Sequence, residues 1–289
     1  MRSSSSSAHE ALQILAARLR RIRKDARLSG RELGRLAGWH ASKVSRIEHA
    51  HRPPSIHDVR AWCEHCGVPE QAEDLIASLE AIEGMFVEWR HMERTGLRHA
   101  QESVLPLWER TRRFRFYAPN LIPGPLQTRA YITAVLTALQ QRRDLPDDVE
   151  DAVQVRVDKQ QVLHMGDHRF VVLLEENVLR QPIGGPDVMT GQLGHLLTVS
   201  TLPSVSLGII PLGADRSSIW PTEAFFMFDD EEVTVELVSG HLTVTRPHEI
   251  AMYSRTFMEL AELAVYGKAA RALITRAIQV VDEQTPASP

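Results

Sequence analysis

The 289-residue sequence holds only two cysteines, Cys63 and Cys66, three positions apart. Two thiols that close cannot frame a disulfide scaffold, so the disulfide-stapled secreted class drops out and a reducing compartment fits. No apolar run reaches the roughly 18 residues that would suggest a membrane span. The start, Met-Arg followed by five serines, lacks the apolar stretch of a signal peptide. A cytoplasmic protein without a membrane partner is expected, with a disordered start over residues 1–9 and a disordered tail over 281–289.

Catalytic and metal frames are missing as well. Gly184-Gly185-Pro186 has neither the G-x-G-x-x-G spacing nor a Walker lysine behind a strand, so it reads as a turn at a helix start. Cys63-Glu-His-Cys66 lies near His49, His51 and His57, but a zinc finger needs a second ligand pair at defined spacing. Buried thiols and no metal are the expectation. Glu175-Glu176 suggests paired carboxylates, yet no nucleophile or histidine accompanies them in a recognisable frame, so they read as a solvated strand end. The chain is expected to be no enzyme and to need no cofactor.

What the sequence does contain begins with its charge distribution. Residues 1 to 68 carry 13 Lys plus Arg against 6 Asp plus Glu, whereas the remainder carries 20 against 31. A basic head on an acidic body points to a polyanionic partner for the head. The length exceeds the usual single-domain size of about 100 to 150 residues, so two domains are expected.

Leu12, Leu15, Ala16, Leu19 and Ile22 recur at helical spacing and predict a first amphipathic helix ending before Leu28. Ser29 and Glu32 form the capping-box pattern that opens a second helix, about Gly30 to Ala37, with Gly38 as the turn after it. A third helix, about Ala41 to His49, puts Val44 and Ile47 inward and Ser42, Ser45, Arg46 and His49 outward. Those outward side chains are small or hydrogen-bonding, as a helix must be to enter a groove about 12 Å wide and reach base edges. Arg46 suits a two-bond contact to guanine. Lys43 and Arg52 flank that face where phosphates would run, and the helix start at Gly30 and Arg31 offers free N–H groups to an anion. The expected DNA-binding set is Arg31, Ala41, Ser42, Lys43, Ser45, Arg46, His49 and Arg52.

The run Leu28-Ser-Gly-Arg-Glu-Leu33, then Leu36-Ala-Gly38, then Lys43-Val-Ser-Arg-Ile-Glu48 and Pro53-Pro-Ser55 resembles the XRE-type (repressor and Cro-like) helix-turn-helix family. The resemblance implies an all-α head of five packed helices over residues 10–69, with a fourth from about Ser55 to Cys66 and a fifth from about Glu70. It also implies a partly buried ion pair between Arg23 and Glu48. Gly30 stands where the family often has glutamine, and His40 where it usually has Ser or Thr.

Residues 70–113 stay helical in pattern, with Leu75, Ile76, Leu79, Ile82, Phe86 and Trp89 as one stripe: a connector and candidate dimer seam. Residues 114–280 mix helices with strands at 169–175, 204–210, 224–228 and 233–237, which predicts an α+β (or α/β) domain with four to five strands. Ile122-Pro-Gly-Pro-Leu-Gln-Thr128, Arg156-Val-Asp-Lys-Gln-Gln-Val-Leu163, Leu174-Glu-Glu-Asn-Val-Leu-Arg180 and Gly184-Gly-Pro-Asp-Val-Met189 resemble the C-terminal domain of the actinobacterial WhiJ-like XRE regulators. That likeness implies a developmental or secondary-metabolism regulator, often encoded beside a small partner protein in an antitoxin-like pairing.

The reading is therefore a sequence-specific, homodimeric regulator bound to the major groove of double-stranded DNA, with a C-terminal domain that receives a small-molecule effector or a small partner protein. The alternative is an antitoxin-like protein whose C-terminal domain holds that partner, with DNA binding serving autoregulation.

Overall fold

The computed structural model describes residues 7–284; the side chains of 7–10, 41, 81, 83–88, 90–91 and 284 lie outside the described set. The chain divides into two units, 1–87 and 88–289. No helix among the described residues is long and apolar enough to cross a membrane.

The first unit is all helical: α1 (Ser7–Asp25), α2 (Gly30–Leu36), α3 (Ala41–Glu48), α4 (Ile56–His65) and α5 (Ala72–Met85). Its core joins Leu15, Leu19 and Ile22 of α1, Leu33, Val44, Ile47, Val59 and Trp62 to Leu75, Ile76 and Leu79 of α5. Trp62 is fully buried, and its indole N–H donates to the Leu19 carbonyl at 3.1 Å, so the one polar atom of a large apolar group is satisfied. Ser29 caps α2 and Ser55 caps α4, each in a two-way capping box with Glu32 or Asp58. Gly38, at φ +69°, supplies the left-handed turn between α2 and α3.

The stripe expected as a dimer seam is instead internal to this unit. Leu75 and Leu79 are fully buried and Ile76 nearly so, because α5 packs on α1 and α4 and joins one core with Leu19, Trp62 and Cys63. Phe86, the far end of that stripe, lies outside the described side chains, and Trp89 belongs to the second unit. Helix also reaches into both ends expected to be irregular, since α1 opens at Ser7 and the last helix runs to Gln284; the rest of those ends lies outside the described residues.

Beyond β1 (Phe86–Glu88), a strand of 3 residues, the second unit runs α6 (Trp89–Met92), α7 (Leu97–Glu102), α8 (Leu105–Arg110), β2 (Arg113–Ala118), α9 (Arg129–Arg143), α10 (Val149–Lys159), β3 (Arg169–Glu175), α11 (Pro186–Val199), β4 (Val205–Ile210), β5 (Phe225–Phe228), β6 (Glu232–Glu236), β7 (Gly240–Val244), α12 (Pro247–Leu263) and α13 (Gly267–Gln284). Its strands lie in the order β7-β6-β5-β2-β3-β4. β2, β3 and β4 are parallel, whereas β5, β6 and β7 run as an antiparallel meander off β2. The sheet is thus mixed, in an α+β unit.

Alternation decides what each sheet face does. Phe114, Phe116, Phe170, Val172, Val205 and Leu207 pack on one side with α11 and α13, and Phe114 stacks on Phe170 at 4.2 Å between ring centroids. Tyr117, Leu173, Phe225, Val233 and Val235 pack on the other with Phe257 and Leu260 of α12.

Glu175 and Glu176, read as a solvated strand end, are buried. Glu175 accepts the Tyr117 hydroxyl at 2.8 Å and pairs with Arg216, while Glu176 takes the Leu212 N–H at 3.0 Å and pairs with Arg180. The strand leads directly into a tight helical turn, which folds both carboxylates back under the loop after β4.

Candidate nucleic-acid interface

The reading helix α3 is set by three local features. His40 caps its start, its Nδ1 accepting the Ser42 N–H at 3.3 Å, so the histidine does the work usually left to Ser or Thr. Val44 and Ile47 anchor it in the core. Ala50, at φ +55°, ends it, and the Arg46 carbonyl accepts the His51 N–H beyond.

Ser42, Ser45, Arg46 and His49 are exposed together on its outer face. The Arg46 Nε–H reaches back to the Ser42 carbonyl at 3.3 Å, which aims the guanidinium while leaving its terminal N–H groups outward. His49 Nδ1 lies 2.8 Å from the Ser45 carbonyl and its ring stacks on His51. Arg31 and Arg52 are exposed as expected; the backbone of Ala41 opens α3, but its side chain lies outside the described residues.

Lys43, half-exposed on α3, also has partners within the unit. Its ammonium pairs with Asp58 at 2.6 Å and sits 4.6 Å over the Trp39 ring, so it ties α3 to α4 within the unit. Asp58 is buried; burial pushes its pKa up, but the hydrogen bonds from Lys43 and from Ser55 outweigh this and hold it below the usual value.

Arg23 and Glu48 form the implied pair in two-pronged geometry, Nε to Oε1 at 2.5 Å and Nη2 to Oε2 at 2.9 Å. Both side chains are largely buried, and Arg23 also donates to the Leu28 carbonyl at 2.6 Å. The Glu48 hydrogen bond, against the cost of burial, raises the Arg23 pKa further and keeps the guanidinium charged.

A groove beside α3 was not singled out by the sequence. Arg20, Arg21 and Lys24 of α1 line it together with Glu48 and His49. The only signal was a basic run, which also describes any solvated helix face; its neighbourhood with His49 depends on how α1 crosses α3. Cys63 and Cys66 are free and buried, and burial pushes the Cys66 thiol up to about 11.

A family described as a domain of unknown function (DUF5753) matches residues 102–276, more than half of the chain. The chain belongs to the DUF5753 family. In this DUF5753 protein the first unit matches a helix-turn-helix domain over residues 14–76, a stretch that includes α2 and α3, and the match supports DNA as the partner. No curated protein matches the chain. Among solved structures it aligns with the archaeal chromatin protein TrmBL2, described as showing a novel mode of DNA binding, at 12% identity and a TM-score of 0.32, covering 83% of this chain and 88% of that one. So slight a likeness carries no argument.

Proposed function

We propose that this protein is a sequence-specific transcriptional regulator that reads the major groove through α3, binds as a homodimer in the cytoplasm, and acts by binding and not by catalysis. The observation that carries this is the outer face of α3, where Ser42, Ser45, Arg46 and His49 stand exposed beside a groove of three cations from α1. The second unit is read as the part that receives an effector. The XRE-type and WhiJ-like resemblances fit, because the helix-turn-helix match and the DUF5753 match cover the stretches whose motifs carry them.

One helix-turn-helix unit reads only a few base pairs, so useful affinity needs two, about 34 Å apart on a two-fold site. The test is selection of bound fragments from random DNA by the full chain, followed by titration of the selected site. Arg46→Ala is expected to weaken that site by about 1 to 3 kcal/mol and to relax preference at one position. Equal loss on selected and random DNA would overturn the assignment of Arg46 to base reading. Light scattering at the mass of a monomer, with or without the site, would overturn the homodimer.

A further inference from the structure

The last turn of a helix leaves carbonyls that look for donors. At the end of α3 one of them takes its second donor from a side chain. The Ser45 carbonyl accepts the His49 backbone N–H at 3.1 Å and has the His49 Nδ1 at 2.8 Å. A carbonyl oxygen can only accept, so the ring proton of His49 sits on Nδ1.

That proton decides what the rest of the ring can do. A neutral imidazole carries one N–H, and with it committed to Nδ1 the other nitrogen, Nε2, presents a bare lone pair. The ring geometry turns Nε2 away from the backbone oxygen that fixes Nδ1. His49 is exposed, and no described residue donates to Nε2. His51 lies beside the ring, with 6.1 Å between centroids and 17° between planes, a face contact that leaves the in-plane lone pair open.

His49 is thus the fixed acceptor of the outer face of α3. Arg46 there has only donors, and the hydroxyls of Ser42 and Ser45 turn to either role. Duplex DNA is unevenly supplied with partners for these groups. Its phosphates, purine N7, guanine O6 and thymine O4 all accept, whereas the donors in the major groove are cytosine N4 and adenine N6. A donor therefore finds partners along the whole duplex, and a fixed acceptor finds one only at an amino group. Phosphate contacts fall instead to Arg20, Arg21 and Lys24, which line the same groove as His49. Arg46 and His49 are three residues apart, about 5 to 6 Å at Cβ on a helix surface, against about 3.4 Å for each base-pair step.

We infer that His49 is a specificity-determining residue that accepts from the exocyclic amino group of a cytosine or adenine, about one or two base pairs from the guanine read by Arg46. The inference rests on the reading of α3 as the major-groove helix.

The experiment starts from sites selected out of random DNA by the full chain at about pH 8, where free imidazole carries a single proton. Each cytosine and adenine of the selected site is then replaced in turn by 2-pyrimidinone or purine, which lack only the amino group. At one position the wild-type chain is expected to lose about three- to tenfold in affinity, the value of one hydrogen bond. His49→Ala, with unchanged circular dichroism, should lose affinity for the unmodified site and be indifferent to the analogue at that position. Selection repeated with His49→Arg, which offers donors only, should move the preference there to guanine. Equal analogue penalties in wild type and His49→Ala at every position would overturn the inference. So would a loss in His49→Ala that is equal on selected and random DNA and lowers the salt slope by about 1, the mark of a phosphate contact. A chain that selects no sequence loses the function proposed above and this inference with it. A selected site that responds to Arg46→Ala but to no change at His49 removes this inference alone.

Discussion

Arg23 and Glu48 lock the last turn of α3 onto α1 through two parallel hydrogen bonds, 2.5 and 2.9 Å long, in a largely buried setting. A charge so placed must be paired: removing Glu48 strands Arg23, and removing Arg23 leaves Glu48 only the more exposed Arg20 at 3.8 Å. Arg23→Met or Glu48→Gln alone should destabilise the head by about 2 to 3 kcal/mol, somewhat under the cost of breaking a fully buried pair because each keeps some contact with water. The double replacement should cost clearly less than the two singles added. Both cysteines of the chain sit in the head's core, so the rate of thiol labelling in the intact protein reads head opening directly. A coupling below about 0.5 kcal/mol would reduce the pair to a surface contact.

Asp58 gives the head an acid limit. Its pKa is lowered in the fold, so between that value and the unfolded value of about 3.9 the unfolded chain binds more protons. The stabilisation from Lys43 is complete above the unfolded value and is lost as pH falls through the folded one. Thiol labelling of Cys63 and Cys66 with a disulfide reagent active in acid should therefore accelerate as pH drops below about 4. Asp58→Asn should flatten that acid dependence while making the head less stable at pH 7. An identical acid profile in the variant would show that Asp58 is not the group responsible.

Arg20, Arg21 and Lys24 should act on DNA without regard to sequence. They line the groove beside His49 but stand on α1 and not on the reading face. Arg21→Ala or Lys24→Ala is expected to weaken selected and random sites alike and to lower the slope of log K against log salt by about 1 each. A loss confined to the selected site would assign them to base reading.

Gly96 governs the position of α7. Its φ is +108°, and a Cβ there would clash with Asp148 Oδ2, part of the carboxylate that accepts the Leu97 and Arg98 N–H groups at the helix start. Gly96→Ala should therefore displace Asp148 and cost about 1 to 3 kcal/mol. Chemical denaturation of the full chain, read by circular dichroism, checks that cost. A variant as stable as the wild type would show that the helix start does not depend on the close approach of Asp148 to Gly96.

The head was legible because its information is local. Val44 and Ile47 against Ser42, Ser45, Arg46 and His49 is a helix-period pattern, and Ser29 with Glu32 is a cap spaced by three. The pairing of Lys43 was not legible because its partner Asp58 is 15 positions away on another helix, and no spacing rule shows that α4 approaches. β2 was missed although Arg-Phe-Arg-Phe opens it in alternation: the helical pattern before it and the prolines behind it dominated the window, and β7 was missed because Gly-His-Leu-Thr-Val is half-polar and only partly buried.

The closure of α5 over the first four helices has a practical reading for protein engineering. A fragment cut at residue 68, where the recognisable motif runs out, would leave Trp62 and Leu19 facing solvent and deprive the core of Leu75, Ile76 and Leu79. The transplantable module is longer than the motif that announces it. Chimaeras that exchange DNA specificity between such regulators should be joined beyond Met85, and a library that treats residues 72–85 as neutral linker would discard otherwise sound reading heads for failing to fold.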